Sequence, residues 1–179
     1  MKKFKLITIA LALTVIFSGC GTVAKTSQEF RKTANSSAFG TKESFVVNRS
    51  YSKVVNLFQK NSKRCLNKTF KTRDYYRDNK FSRTTTDTIT YSTKFKRGST
   101  HSKMDVSLKS NGIKTSMFYQ EIPKDGLFIV AVDITKKGAN QTQIDIYRPV
   151  AVFGPNKNIV NAIKAWANGT SKGCPNLRP

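Results

Sequence analysis

The apolar positions of this chain change rhythm along its length. Leu6 to Phe17 carries no charge, follows the basic start Met1-Lys2-Lys3-Phe4-Lys5 and runs into Ser18-Gly19-Cys20. A basic region, an apolar region and small residues in that order make a secretory leader, and the apolar run is too short to cross a bilayer. Gly21 to Lys42 is rich in Ser, Thr, Ala and Asn and has no sustained period. It predicts a flexible tether. Glu43 to Arg49 predicts a short strand, with Phe45 and Val47 on one side. Ser50 then fits a helix N-cap. From Tyr51 to Leu66 the period is helical, with Tyr51, Val54, Val55, Phe58 and Cys65 on one face.

Beyond the first helix the period falls to two. Thr69 to Arg83 mixes aromatic and basic residues and reads as a strand followed by a loop. Ile89, Tyr91 and Phe95 alternate with polar residues, as do Met104, Val106 and Leu108, so each run predicts a strand with one wet face. Asn111-Gly112 carries a type I′ turn signal. A two-residue loop there would set Leu108, Val106 and Met104 against Thr115, Met117 and Tyr119. Leu127 to Thr135 is apolar on both faces, as a central strand should be, and Ile144 and Ile146 mark a last strand ended by Pro149. Ile159, Val160, Ile163 and Trp166 return to helical spacing over Asn156 to Ala167, with Gly169 as the C′ residue. The pattern as a whole predicts an α+β domain. Its antiparallel meander sheet carries two helices on one face, in the order β-α-β-β-β-β-β-α, followed by a tail.

Phe17-Ser18-Gly19-Cys20 resembles the lipobox of bacterial lipoproteins, with Phe17 where Leu is usual. The resemblance implies that Cys20 is acylated and becomes the first mature residue. Gly21, rather than Asp, after that cysteine resembles lipoproteins sent to the outer membrane, facing the periplasm. The element order over residues 43–169 also resembles the helix-grip arrangement of some outer-membrane lipoproteins, and Tyr51, Val54, Cys65 and Leu66 are similar to positions in small envelope lipoproteins. The chain then divides into a leader (1–19), a lipidated cysteine with its tether (20–42) and one α+β domain (43–179). With Cys20 taken by lipid, Cys65 and Cys174 remain as a pair in an oxidising compartment, so a disulfide is expected. It would close a loop of about 110 residues and tie the tail to the end of the first helix.

Charge changes the functional picture most. The formal net charge is +22, of which about +19 remains once the leader lysines are removed. Contact with anionic lipid, lipopolysaccharide, cell-wall phosphate or nucleic acid follows, with nucleic acid not favoured. The densest basic stretch runs from Lys60 to Arg83. Its candidate ligand-binding residues are Lys68, Lys71, Arg73, Tyr75, Tyr76, Arg77, Lys80 and Arg83, in which cations alternate with rings that could stack or lie at an interface. Core packing of Phe70 and Tyr76, with the charges as a solvated side, is the competing explanation.

Catalytic chemistry has little to stand on. His101 is the sole histidine and begins a strand beside a turn. Asp74 and Asp78 are four apart within a basic stretch, where ion pairing explains them better. No phosphate loop, nucleophile elbow or zinc spacing occurs in the sequence. The expected function is therefore a non-enzymatic, cofactor-free, membrane-anchored envelope protein that binds or organises envelope components. A binder of anionic polymer and an assembly partner of an outer-membrane protein are the alternatives.

Overall fold

The computed structural model describes residues 23–36, 40–78, 81–110, 123–150, 156–170 and 173–178, with the backbone alone for 72–78 and 81–85. The leader and Cys20 lie outside the described residues. The elements are α1 (Ser27–Asn35), β1 (Gly40–Val47), α2 (Tyr51–Cys65), β2 (Lys68–Asp78), β3 (Phe81–Lys96), β4 (His101–Ser110), β5 (Leu127–Lys136), β6 (Thr142–Pro149) and α3 (Asn156–Ala167). The strands form one sheet in the order β1-β6-β5-β4-β3-β2, every pair antiparallel. The domain is α+β, as the periodicity predicts.

Period-two alternation builds the sheet's inner face. Met104 and Val106 on β4, Val130, Val132 and Ile134 on β5, and Ile144 and Ile146 on β6 are all buried. Over them lie Val54, Val55 and Phe58 of α2 and Ile159, Ile163 and Trp166 of α3. The Phe58 and Trp166 rings meet edge to face with centroids 6.1 Å apart, a preferred aromatic geometry. Ser50 has the extended backbone of a cap, but its side chain makes no capping hydrogen bond. Lys63 and Arg64 in the last turn of α2 oppose the negative end of the helix dipole. At the end of α3, Gly169 (φ 96°) takes the left-handed C′ position. Its N–H donates to Trp166 O and that of Thr170 to Ala165 O, which is the Schellman pattern.

Three expectations need correction. The stretch from Gly21 to Lys42 is not tether throughout. Ser27–Asn35 is a helix, and it packs on the sheet face opposite α2 and α3. Thr26 and Glu29 form a reciprocal capping box at its start. Phe30 and Ala34, one turn apart, press against Ala131 and Tyr147. β1 accordingly begins at Gly40, where a Cβ would stand 2.1 Å from Ala34 Cα, so only glycine permits that approach.

Second, the partners of β4 are not those that pairing with residues 113–119 would give. Asn111, Gly112 and that segment lie outside the described residues, but both flanks of β4 are already filled. Met104 and Val106 face Val132 and Val130 of β5 on one side, and Phe95 and Thr93 of β3 on the other. Third, Thr69 to Arg83 is not strand then loop: β2 continues to Asp78 and β3 begins at Phe81. Tail closure follows expectation. Cys65 and Cys174 are bonded across a sequence separation of 109, with Cα atoms 5.0 Å apart.

Candidate functional site

The predicted basic stretch maps to the end of α2 and the edge strand β2. Lys60, Lys63, Lys68 and Lys71 are exposed. Phe70 between them is half-buried, its ring edge-to-face on Tyr91 at 6.2 Å, and it belongs to the periphery of the core. For Phe70 the packing explanation wins. Burial also raises the Tyr91 phenol above its ordinary pKa.

Arg73, Tyr75, Tyr76 and Arg77 stand at register positions opposite Thr86, Thr84, Arg83 and Ser82. Lys80 lies outside the described residues. β3 pairs with β4 only from Ile89 onward. Among the described residues, then, Phe81 to Thr88 pair with β2 alone, and this half of the basic stretch is a two-stranded arm extending past the rest of the sheet.

What sequence reading missed is the helical layer. α2 and α3 contain no Asp or Glu, yet Lys53, Lys60, Lys63 and Lys157 are exposed on them. Every carboxylate whose side chain is described is instead tied up within the fold. Glu29 accepts from the N–H groups of Lys25 and Thr26. Glu43 pairs with Lys164 at 2.5 Å and Asp125 with Lys94 at 2.7 Å, while Asp87 accepts from Ser110 at 2.5 Å. Asp105, Asp133 and Asp145 lie on the α1 side of the sheet.

That side is a charged clamp. Arg31 Nη1 is 2.6 Å from Asp105 Oδ1, and Nε donates to Asp133 Oδ1 at 2.7 Å. Nη2 reaches Val132 O at 3.3 Å, and the guanidinium carbon sits 5.9 Å from the Tyr147 ring centre. The Asp105 contact is a charge pairing without a directed hydrogen bond. Lys42 approaches Asp145 at 3.6 Å and the Tyr147 ring at 5.5 Å. Burial pushes the Asp145 carboxyl up. Hydrogen bonds from Gln143 and Ser44, together with the Lys42 ammonium, outweigh burial and hold it below the usual range. Burial, with Asp133 adding to it, raises the Tyr147 phenol.

Other polar residues also serve the scaffold. The Tyr51 hydroxyl donates to Gly98 O at 2.8 Å and lies 2.6 Å from Ser102 Oγ, joining the start of α2 to the β3–β4 turn. Arg49 donates to Ala167 O at the end of α3. His101 is exposed, with Nδ1 at 3.0 Å from Thr135 Oγ1. No metal-binding group of three or more His, Cys, Asp or Glu side chains occurs among the described residues. None of their helices is long and apolar enough to cross a membrane.

The side chains of Lys53, Lys60, Lys63, Lys68 and Lys71 make no ion pair or hydrogen bond with another described residue. The candidate interface is therefore the outer face of α2 continuing onto Lys68 at the start of β2, with Lys71 at the same sheet edge on the opposite face. Such a surface can hold phosphates or carboxylates by charge without orienting any one of them for reaction. Comparison with family models, curated proteins and solved structures finds no match to the chain, so the likeness to the helix-grip arrangement rests on element order alone.

Proposed function

We propose that this protein is a lipid-tethered, non-enzymatic envelope protein whose cationic face binds an anionic envelope polymer. The observation that carries the reading is the division of charge. The described acidic side chains are all engaged inside the fold, while the lysines of α2 and early β2 have no internal partner. A surface so one-sided in sign raises the local concentration of anions and repels its own kind. The lipobox-like leader supports placement in the envelope. α1 adds an orientation, because the lipid-bearing end enters the domain on the face away from α2 and α3. The cations of α2 are thereby presented to ligands other than the anchoring leaflet.

The test is binding of the mature chain to polyphosphate across a salt series. Affinity should fall steeply and log-linearly with salt, as counterion release requires. Reversing Lys63, Lys68 and Lys71 to Glu should weaken binding by at least about tenfold and flatten the slope. An affinity that ignores salt, or that survives the triple reversal, overturns the reading.

A further inference from the structure

A second cationic feature lies at the opposite edge of the sheet. α3 places Lys157, Val160, Asn161 and Lys164 along one stripe, spaced three and four residues apart. They face Glu43 of β1 and Arg148 of β6 across a cleft of about 320 Å³. Register explains why those two strand residues meet the helix. Glu43 stands opposite Ile146, and Arg148 is two residues further along the same strand, so both share the face on which Ile146 is buried.

The charges in this cleft do not cancel. Glu43 is satisfied by Lys164. The Arg148 side chain, although half-buried, forms no ion pair or hydrogen bond with any described residue. Lys157 is likewise without a partner, and the first turn of α3, where it sits, has no acidic residue to offset it. Two like charges facing one small cleft repel each other in the empty protein. A dianion would remove that repulsion, and a guanidinium fork matches phosphate oxygens in pairs. Beside the two cations, the Asn161 amide and the outer lone pairs of Glu43 are suited to hydroxyl groups. Val160 supplies an apolar patch for the face of a ring.

We infer that this cleft binds a phosphate monoester carried on a sugar or polyol, with Arg148 and Lys157 on the phosphate and Asn161 and Glu43 on the hydroxyls. A phosphomonoester carries a charge of about −1.5 to −2 near neutral pH, which matches the two unpaired cations. The inference deepens the proposed function, since the phosphate would be a unit of the polymer held more loosely by α2 and β2. A free sugar phosphate offers the same chemistry.

Glucose 1-phosphate titrated into the isotopically labelled mature chain, followed by amide NMR, tests it. Saturable shifts should centre on the Asn161 side chain and on α3, with a Kd on the order of millimolar or tighter. Arg148→Gln and Lys157→Gln should each weaken binding about tenfold. Lys137→Gln, which removes the same charge from the exposed β5–β6 turn, should leave it unchanged. Absence of saturable shifts, or equal loss in Lys137→Gln, overturns the cleft assignment. Polyphosphate binding by the same samples keeps the two proposals apart, because it depends on the α2 and β2 lysines whatever the cleft does. Competition decides the source: a polymer ending in a phosphomonoester that displaces glucose 1-phosphate supports the polymer unit, and one that does not supports the free sugar phosphate.

Discussion

Arg31 shows how much can depend on one side chain in a chain with charge to spare. It is one of many cations, yet its guanidinium is buried between Asp105 and Asp133 and joins α1 to two strands. A buried pair adds little against a well-packed apolar replacement, but losing one partner strands the other. Arg31→Met therefore leaves two carboxylates on a covered face without a cation, and should cost about 3–5 kcal/mol. Combining it with Asp105→Asn and Asp133→Asn should recover much of the loss. Urea unfolding of the single and triple variants measures both, and an Arg31→Met midpoint equal to the parent's would refute the clamp. In the sequence this arginine looks like any solvated charge, because burial by ion pairing leaves no periodic trace. The capping box at Thr26 and Glu29 and the one-turn spacing of Phe30 and Ala34 were legible. They were masked by the polar composition around them.

Among the elements, amphipathic helices and alternating strands can be read directly, because each buries one face and the period reports which. α2, α3, β4 and β6 are of this kind. The partners inferred for Met104 and Val106 from Asn111-Gly112 differ from those found, because a local turn signal speaks only for its neighbours, whereas strand pairing is decided across the sheet. β5 is apolar on both faces, and its buried Ala131 lies under α1, so that reading was right while the element covering the second face went unseen. The full length of β2 was hidden because it lies at an edge, where charged residues are tolerated and help prevent edge-to-edge pairing. The disulfide was legible by counting, and it links the end of α2 to a tail that buries Leu177. Replacing Cys65 and Cys174 together by Ala should cost about 2–5 kcal/mol, mainly by freeing the unfolded chain. Thermal unfolding of the variant and of reduced parent protein should agree. A variant as stable as the oxidised parent would show that the tail docks without the bond.

At the scale of the whole molecule, the helix on the back of the sheet would shorten the leash of the proposed lipid anchor. Ser27 begins α1, so about six residues separate it from Cys20, a reach of about 20 Å when fully extended. A domain anchored through Cys20 as proposed would be held too close to sample the envelope freely, its position set by where α1 docks. If the lipobox reading holds, the anchor and the fold are also separable. The Arg31 clamp and the disulfide join parts of the domain to each other and do not involve the acyl chains. Cys20→Ser should accordingly move the protein from the membrane fraction to the soluble one and abolish metabolic acyl labelling. Its thermal midpoint should stay within about 1 °C of that of the lipidated protein, since a surface change away from packing contacts has little effect on stability. Fractionation unchanged by the substitution would remove the lipid anchor from the account. A large fall in midpoint would mean that the acyl chains take part in holding α1 to the sheet, which the contacts of Phe30, Arg31 and Ala34 argue against.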